Sequence, residues 1–266
     1  DSDEAIVVEH RLEAVKLVPS AETTGTDAHH HGSLTIEAIA RPEVTAPDRA
    51  RVFSMAVTAR DDRDRGRPSA WSAVLDSLAV DVDGEGLTRR LILVSAGNIK
   101  DPEAWRNYHD SNLSDGVHDP AQAWNALTVG AYTGLVDITE DDAQHLSPIA
   151  PEGGLSPFST TSLTWAKPWP YKPDVVFEGG NAGYDDIGAV TIPSLKLLTT
   201  HRAPTERLFT TTNATSAATA LASRMAAQLM AAYPTLWPET VRALIVHSAE
   251  WTGAMCALRD AFLASG

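Results

Sequence analysis

At 266 residues with 43% hydrophobic side chains, the chain is long enough to bury one substantial core, and no apolar run reaches membrane-spanning length. A formal net charge of −14 argues against a nucleic-acid partner, because neutralising phosphates requires a face of clustered Lys and Arg. The single cysteine, Cys256, excludes an intrachain disulfide framework and a cysteine-based metal cluster, and its setting at 253–258 reads as a small buried apolar site.

Taken in chain order, residues 12–18 alternate as a strand, and a loop rich in Ser, Thr and His leads to a helical pattern at 34–40. A second strand is predicted at 52–57. Ser69 opens a helix whose apolar positions Trp71, Val74, Leu75 and Leu78 recur at three- and four-residue spacing, and 91–94 is a buried strand behind it. From Gly97 to Gly188 the pattern is irregular, with strands at 126–132 and 173–177 between loops full of Asp, Pro, Gly and Ser, the length of loop that usually binds something. The alanine-rich pattern 217–230 is a helix ended by Tyr233-Pro234, and Pro238 opens another through Val241, Leu244 and Ile245. Apolar runs alternating with amphipathic stretches predict an α/β fold in one domain over 1–266: a doubly wound, mainly parallel sheet with helices on both faces.

Two segments carry chemistry. Thr211-Thr212-Asn213-Ala214-Thr215-Ser216 runs from an irregular stretch straight into a helix, which sets the Ser216 hydroxyl at the positive end of the helix dipole beside N–H groups with no intrahelical partner. Ser216 suits a nucleophile there, although the turn taken alone reads more readily as a helix cap. Asn213-Ala214-Thr215 also fits the N-glycosylation pattern, although its alanine-rich surroundings suggest burial. The second segment is the buried strand ending Ser95-Ala96-Gly97-Asn98. Ligands bind at the carboxyl ends of parallel strands, where the Asn98 amide can donate to a developing oxyanion; the alternative is a Gly-Asn turn.

Together the two segments resemble the subtilisin-like serine peptidases. In that family a strand ending Ala-Gly-Asn supplies an oxyanion-hole amide, and a later Gly-Thr-Ser-x-Ala segment supplies the nucleophile. The corresponding residues are Ala96-Gly97-Asn98 and Ala214-Thr215-Ser216-Ala217-Ala218. The resemblance extends from about residue 12 to about residue 250. Residues 12–18 are similar to the strand after the family's histidine helix, and 52–58 to the strand that pairs with substrate. Residues 123–131 resemble the strand ending Val-Gly-Ala, Lys172-Pro173-Asp174 the Lys-Pro-Asp signature, and 238–244 the closing helix. The resemblance implies a serine endopeptidase with Ser216 as nucleophile, Asn98 in the oxyanion hole and a peptide or protein as substrate, with no nucleic-acid or membrane partner.

Two departures stand out. Ala214 occupies the family's glycine position, which suits alanine only at negative φ, and Ala220 replaces a proline. The family's aspartate and His-Gly-Thr segment belong before residues 12–18, where only 1–11 lie. His10 there lacks the following Gly-Thr. His31-Gly32-Ser33 imitates the motif but falls after that strand, among His29 and His30. The reading is therefore a carboxy-terminal part of a larger peptidase, nearly inactive alone, with a non-catalytic peptide-binding domain of the same fold as the alternative. No cofactor is expected, although structural calcium is possible; 61–67 and 137–142 read as solvated loops more readily than as ion cages. The scattered tryptophans read as packing, and His247 as a favourable charge at a helix end. A soluble protein follows, with the cytoplasm favoured over secretion.

Overall fold

The computed structural model describes residues 10–16, 30–59 and 66–265. Its helices are α1 (His31–Thr45), α2 (Ala70–Val80), α3 (Pro102–Arg106), α4 (Asp110–Ser114), α5 (Ala214–Ala232), α6 (Pro238–His247) and α7 (Gly253–Ser265). Its strands are β1 (Val52–Met55), β2 (Leu91–Ser95), β3 (Leu127–Thr133), β4 (Ser147–Pro148), β5 (Gly154–Leu155), β6 (Val175–Glu178), β7 (Gly183–Tyr184), β8 (Ala189–Val190), β9 (Leu197–Thr200) and β10 (Phe209–Thr212). Strands β1, β2, β3 and β6 run parallel in that spatial order, and β5 pairs antiparallel with the last two residues of β3.

Both faces of this sheet are covered, and β2 shows why. Leu91 and Leu93 meet Ala218, Ala222, Ala226, Val241 and Ile245 of α5 and α6, while Ile92 and Val94 meet Ile39 of α1 and Leu75 and Ala79 of α2. Successive side chains of a strand point to opposite faces, so a continuous apolar run is what a strand buried on both sides requires. The alanines of α5 recur every fourth residue, a stripe of small side chains that lets the helix lie close across the sheet. This is the doubly wound α/β arrangement that the sequence predicts.

Local signals hold at the helix starts. Ser69 caps α2 reciprocally: its hydroxyl accepts from the Ser72 N–H at 2.9 Å, and the Ser72 hydroxyl accepts from the Ser69 N–H at 2.9 Å, a capping box. Pro238 is the first residue of α6, where its missing N–H costs nothing. Lys172 is buried, and its ammonium donates to Asp174 at 2.7 Å and to the Ala126 carbonyl at 3.2 Å. Asp174 also accepts the Thr128 N–H. This pair ties the loop before β6 to the start of β3.

Several expectations are corrected. Residues 11–16 form no strand and lie exposed, with Leu12 93% exposed; 17 and 18 lie outside the described residues. An extended segment becomes a strand only where a neighbour takes its backbone N–H and C=O groups, and none of the described strands pairs with 11–16. The helix expected at 34–40 runs from His31 to Thr45, with Pro42 inside its last turn. The irregular region between Gly97 and Gly188 supplies β4 and β7 to a small sheet that β8 completes just beyond it, and β9 and β10 form a hairpin ahead of α5. Cys256 is half-buried rather than buried. No helix among the described residues is long and apolar enough to cross a membrane.

Candidate active site

Both chemistry-bearing segments lie at the carboxyl end of the sheet. After β2 the chain turns at Gly97, whose φ of +101° suits glycine. A side chain there would collide with the His118 ring, 2.2 Å from its Cγ. Asn98 then forms an isolated antiparallel bridge with Ser159, and the Ile99 N–H donates to the Phe158 carbonyl at 2.9 Å. Backbone pairing on both sides of Asn98 holds its side chain on a rigid base.

On the other side, β10 delivers Asn213, the first residue before α5, whose side chain makes no capping hydrogen bond. The Ala214 N–H donates to the Gly179 carbonyl at 2.6 Å. Ala214 has φ +69°, so the conformation that suits glycine is adopted by alanine, contrary to the negative φ that an alanine prefers. Thr215 is fully buried. Its N–H donates to Asn98 Oδ1 at 3.0 Å, and its hydroxyl donates to the same oxygen at 2.6 Å while lying 3.2 Å from the Gly97 carbonyl. A backbone N–H is an obligatory donor, so the oxygen of the Asn98 carboxamide must face Thr215 and its NH₂ group must face away.

Ser216 follows as the third residue of α5 and is half-buried. Among the described residues its hydroxyl makes no hydrogen bond, which sets aside the capping role. Its N–H belongs to the first turn of the helix, where no intrahelical acceptor exists and the dipole is positive. Thr215, the residue next to Ser216, is therefore bound to Asn98 across 117 positions of sequence. The threonine of the glycosylation pattern is buried with its hydroxyl engaged, while Asn213 is half-buried.

The histidines do not complete a triad among the described residues. The His31 ring lies against the Trp71 ring, centroids 4.6 Å apart and tilted by 50°, where Trp71 Nε1 also donates to the Thr35 hydroxyl, so the His31 ring is taken up in the contact between α1 and α2. His10 lies on the exposed 10–16 segment, and His29 is outside the described residues. The sequence reading missed His118, which is buried beside Gly97 with Nδ1 3.4 Å from the Thr58 hydroxyl. It also missed Asp119, which accepts from Ser69 and Gln122. The signal was Gly97 itself, a glycine at a strand end marking a close approach by another side chain. The acidic stretch 137–142 is tied down by Glu140, which accepts the N–H and hydroxyl of Ser194. Positions 61–65 lie outside the described residues. Among the described residues no group of three or more His, Cys, Asp or Glu side chains forms a metal cage.

Residues 1–262 match the Subtilase family. The chain is 30% identical over 223 residues to a curated relative, "Uncharacterized protein y4bN" of Sinorhizobium fredii (strain NBRC 101917 / NGR234), a match covering 78% of this chain and 47% of the relative. The chain thus spans about half the length of the curated relative it matches. Among solved structures, sphericase aligns at 16% identity with a TM-score of 0.47, covering 82% of this chain and 54% of sphericase. The prenylagaramide maturation protease PagA aligns at 15% identity with a TM-score of 0.47, covering 82% and 57%. With the family match spanning nearly all of its residues, the chain belongs to the subtilase family of serine peptidases.

Proposed function

We propose that residues 1–266 are one peptidase domain that hydrolyses peptide bonds by acyl transfer. In this reading Ser216 Oγ attacks the carbonyl carbon and loses its proton to a base, and the Asn98 NH₂ group and Ser216 N–H donate to the oxyanion of the tetrahedral intermediate. Collapse of that intermediate releases the amine and leaves an acyl-Ser216 ester for water to cleave. The observation that supports this most is the double donation from Thr215 to Asn98 Oδ1, which turns the amide donors outward beside the start of α5. Peptide or protein substrates follow from the family, and β1 offers an edge along which an extended substrate can pair.

Base catalysis is the part for which the described residues offer no contact. An exogenous base is therefore a fair probe. A fluorophosphonate reagent is expected to label Ser216, faster with added imidazole, and not to label the Ser216→Ala protein. Asn98→Ala is expected to slow labelling by about 10²- to 10³-fold, a magnitude taken from the removal of the oxyanion-hole asparagine in subtilisin rather than deduced from this chain. No labelling with or without imidazole, in protein that still binds an extended peptide, would favour a non-catalytic peptide-binding domain. That second reading draws on the same observation that His31 is engaged with Trp71.

A further inference from the structure

At the end of the sheet where β1 and β2 begin lies a groove of about 820 Å³ that the proposed chemistry does not use. It is walled by Val44 at the end of α1, Arg49 and Arg51 before β1, Leu87 and Arg89 before β2, and Trp237 before α6. Met230 of α5 also lines it, about 20 Å along that helix from Ser216 at about 1.5 Å per residue.

The groove is rich in arginine although the chain is strongly acidic. The Arg51 side chain is 9% exposed. It donates to the Pro42 and Ala46 carbonyls at 2.7 and 2.8 Å, closing the end of α1, and its Nε donates to Glu13 at 2.7 Å. Arg49 pairs with the same carboxylate. Two guanidinium groups thus share one carboxylate, carried by an extended segment whose neighbouring Leu12 stands in solvent. The chain's own residues show the chemistry this site accepts: a carboxylate on an extended peptide, met by planar donor forks.

Glu13 engages the arginines at only one end of the groove. At the other, the Arg89 guanidinium lies 4.5 Å over the Trp237 ring, and its ion pair with Glu239 is loose, at 3.5 Å between side chains 35% and 42% exposed. Val44, Leu87 and Trp237 stay 82%, 87% and 62% exposed with Glu13 in its seat. Tryptophan and arginine side by side are the residues that dominate protein-binding surfaces, and a guanidinium stacked on indole and only loosely paired with Glu239 is placed to accept a further carboxylate.

We propose that this groove docks an extended segment of a partner protein in which a carboxylate adjoins a bulky apolar side chain, the carboxylate reaching Arg89 and the apolar group resting on Trp237 and Leu87. The probe is a fluorescein-labelled hexapeptide of alternating Leu and Glu, with its Leu–Gln counterpart, titrated with the full chain at low salt and followed by anisotropy. The Glu peptide is expected to bind about tenfold more tightly than the Gln peptide. Arg89→Ala and Trp237→Ala are each expected to weaken it by about tenfold, with unchanged melting temperatures. Should Trp237→Ala lower the melting temperature, Arg89→Gln at its half-exposed position carries the same test. Equal binding of the two peptides, or binding that Arg89 substitution leaves unchanged, overturns the proposal. So does self-association in sedimentation that Arg89→Ala abolishes, which assigns the face to a second copy of the chain.

Discussion

Thr215 is the residue on which the candidate site turns. It touches no reacting atom in the proposed chemistry; it positions Asn98, whose oxygen takes both of its donors. Thr215→Val keeps the side-chain shape but removes the hydroxyl. It is expected to lower stability by about 1 kcal/mol and to slow fluorophosphonate labelling of Ser216, whereas Thr215→Ser restores the labelling rate. A purely structural role would move the melting temperature and leave the labelling rate alone. Ala214 poses a second question at this scale. Its left-handed backbone costs a non-glycine residue roughly 1–2 kcal/mol, while glycine adds roughly 0.4–1 kcal/mol of unfolded-state entropy. The strain is the larger effect, so Ala214→Gly is expected to stabilise the protein by up to about 1.5 kcal/mol in thermal or urea unfolding.

Among the elements, α5 does most to join fold and site. It runs from Ser216 across β1, β2, β3 and β6, and its fully buried Ala218, Ala222 and Ala226 leave no room for larger side chains. Ala222→Leu is expected to destabilise the protein by about 1–3 kcal/mol, because added methylenes in a close-packed interior displace their neighbours. Chemical denaturation measures this, and an unchanged midpoint would mean that the helix can lift from the sheet without cost. The start of α5 depends on a second close approach. A side chain at Gly179 would collide with the Ala131 Cβ and lie 3.1 Å from the Ala214 carbonyl, so β3, the turn after β6 and the start of α5 are mutually locked.

For the molecule as a whole, acid stability follows from carboxylates held in their charged form. The Thr88 N–H and then the Arg90 guanidinium hold the Asp81 carboxyl below its ordinary value of 3.8. A group depressed in this way contributes stability above its ordinary value and loses it as pH falls through the lower, folded-state value. The urea midpoint is therefore expected to drop as pH falls below about 4, and Asp81→Asn to make that drop shallower. A drop of the same size in both proteins would remove Asp81 from the account. Arg90 links α2 to the end of α1 by donating to Glu43 as well, so this loss loosens the helices on one face of the sheet.

The sequence by itself determined the α/β class, the four parallel strands near 52–57, 91–94, 126–132 and 173–177, the start of α2 at Ser69 and the placing of Asn98 and Ser216 at a strand end and a helix start. These are local properties: hydrophobic periodicity, capping chemistry and turn residues act over a few neighbours. Tertiary structure alone decided the rest. Residues 11–16 carry a strand pattern, yet no described strand takes up their hydrogen bonds. His31 carries the look of a catalytic motif, yet its ring meets Trp71. His118 carries no sequence motif, yet it closes on Gly97, and Ala214 takes positive φ because the Gly179 carbonyl and Thr215 hold it on both sides. Each of these outcomes depends on a partner tens of residues away in the chain, and only the packed structure brings that partner within reach.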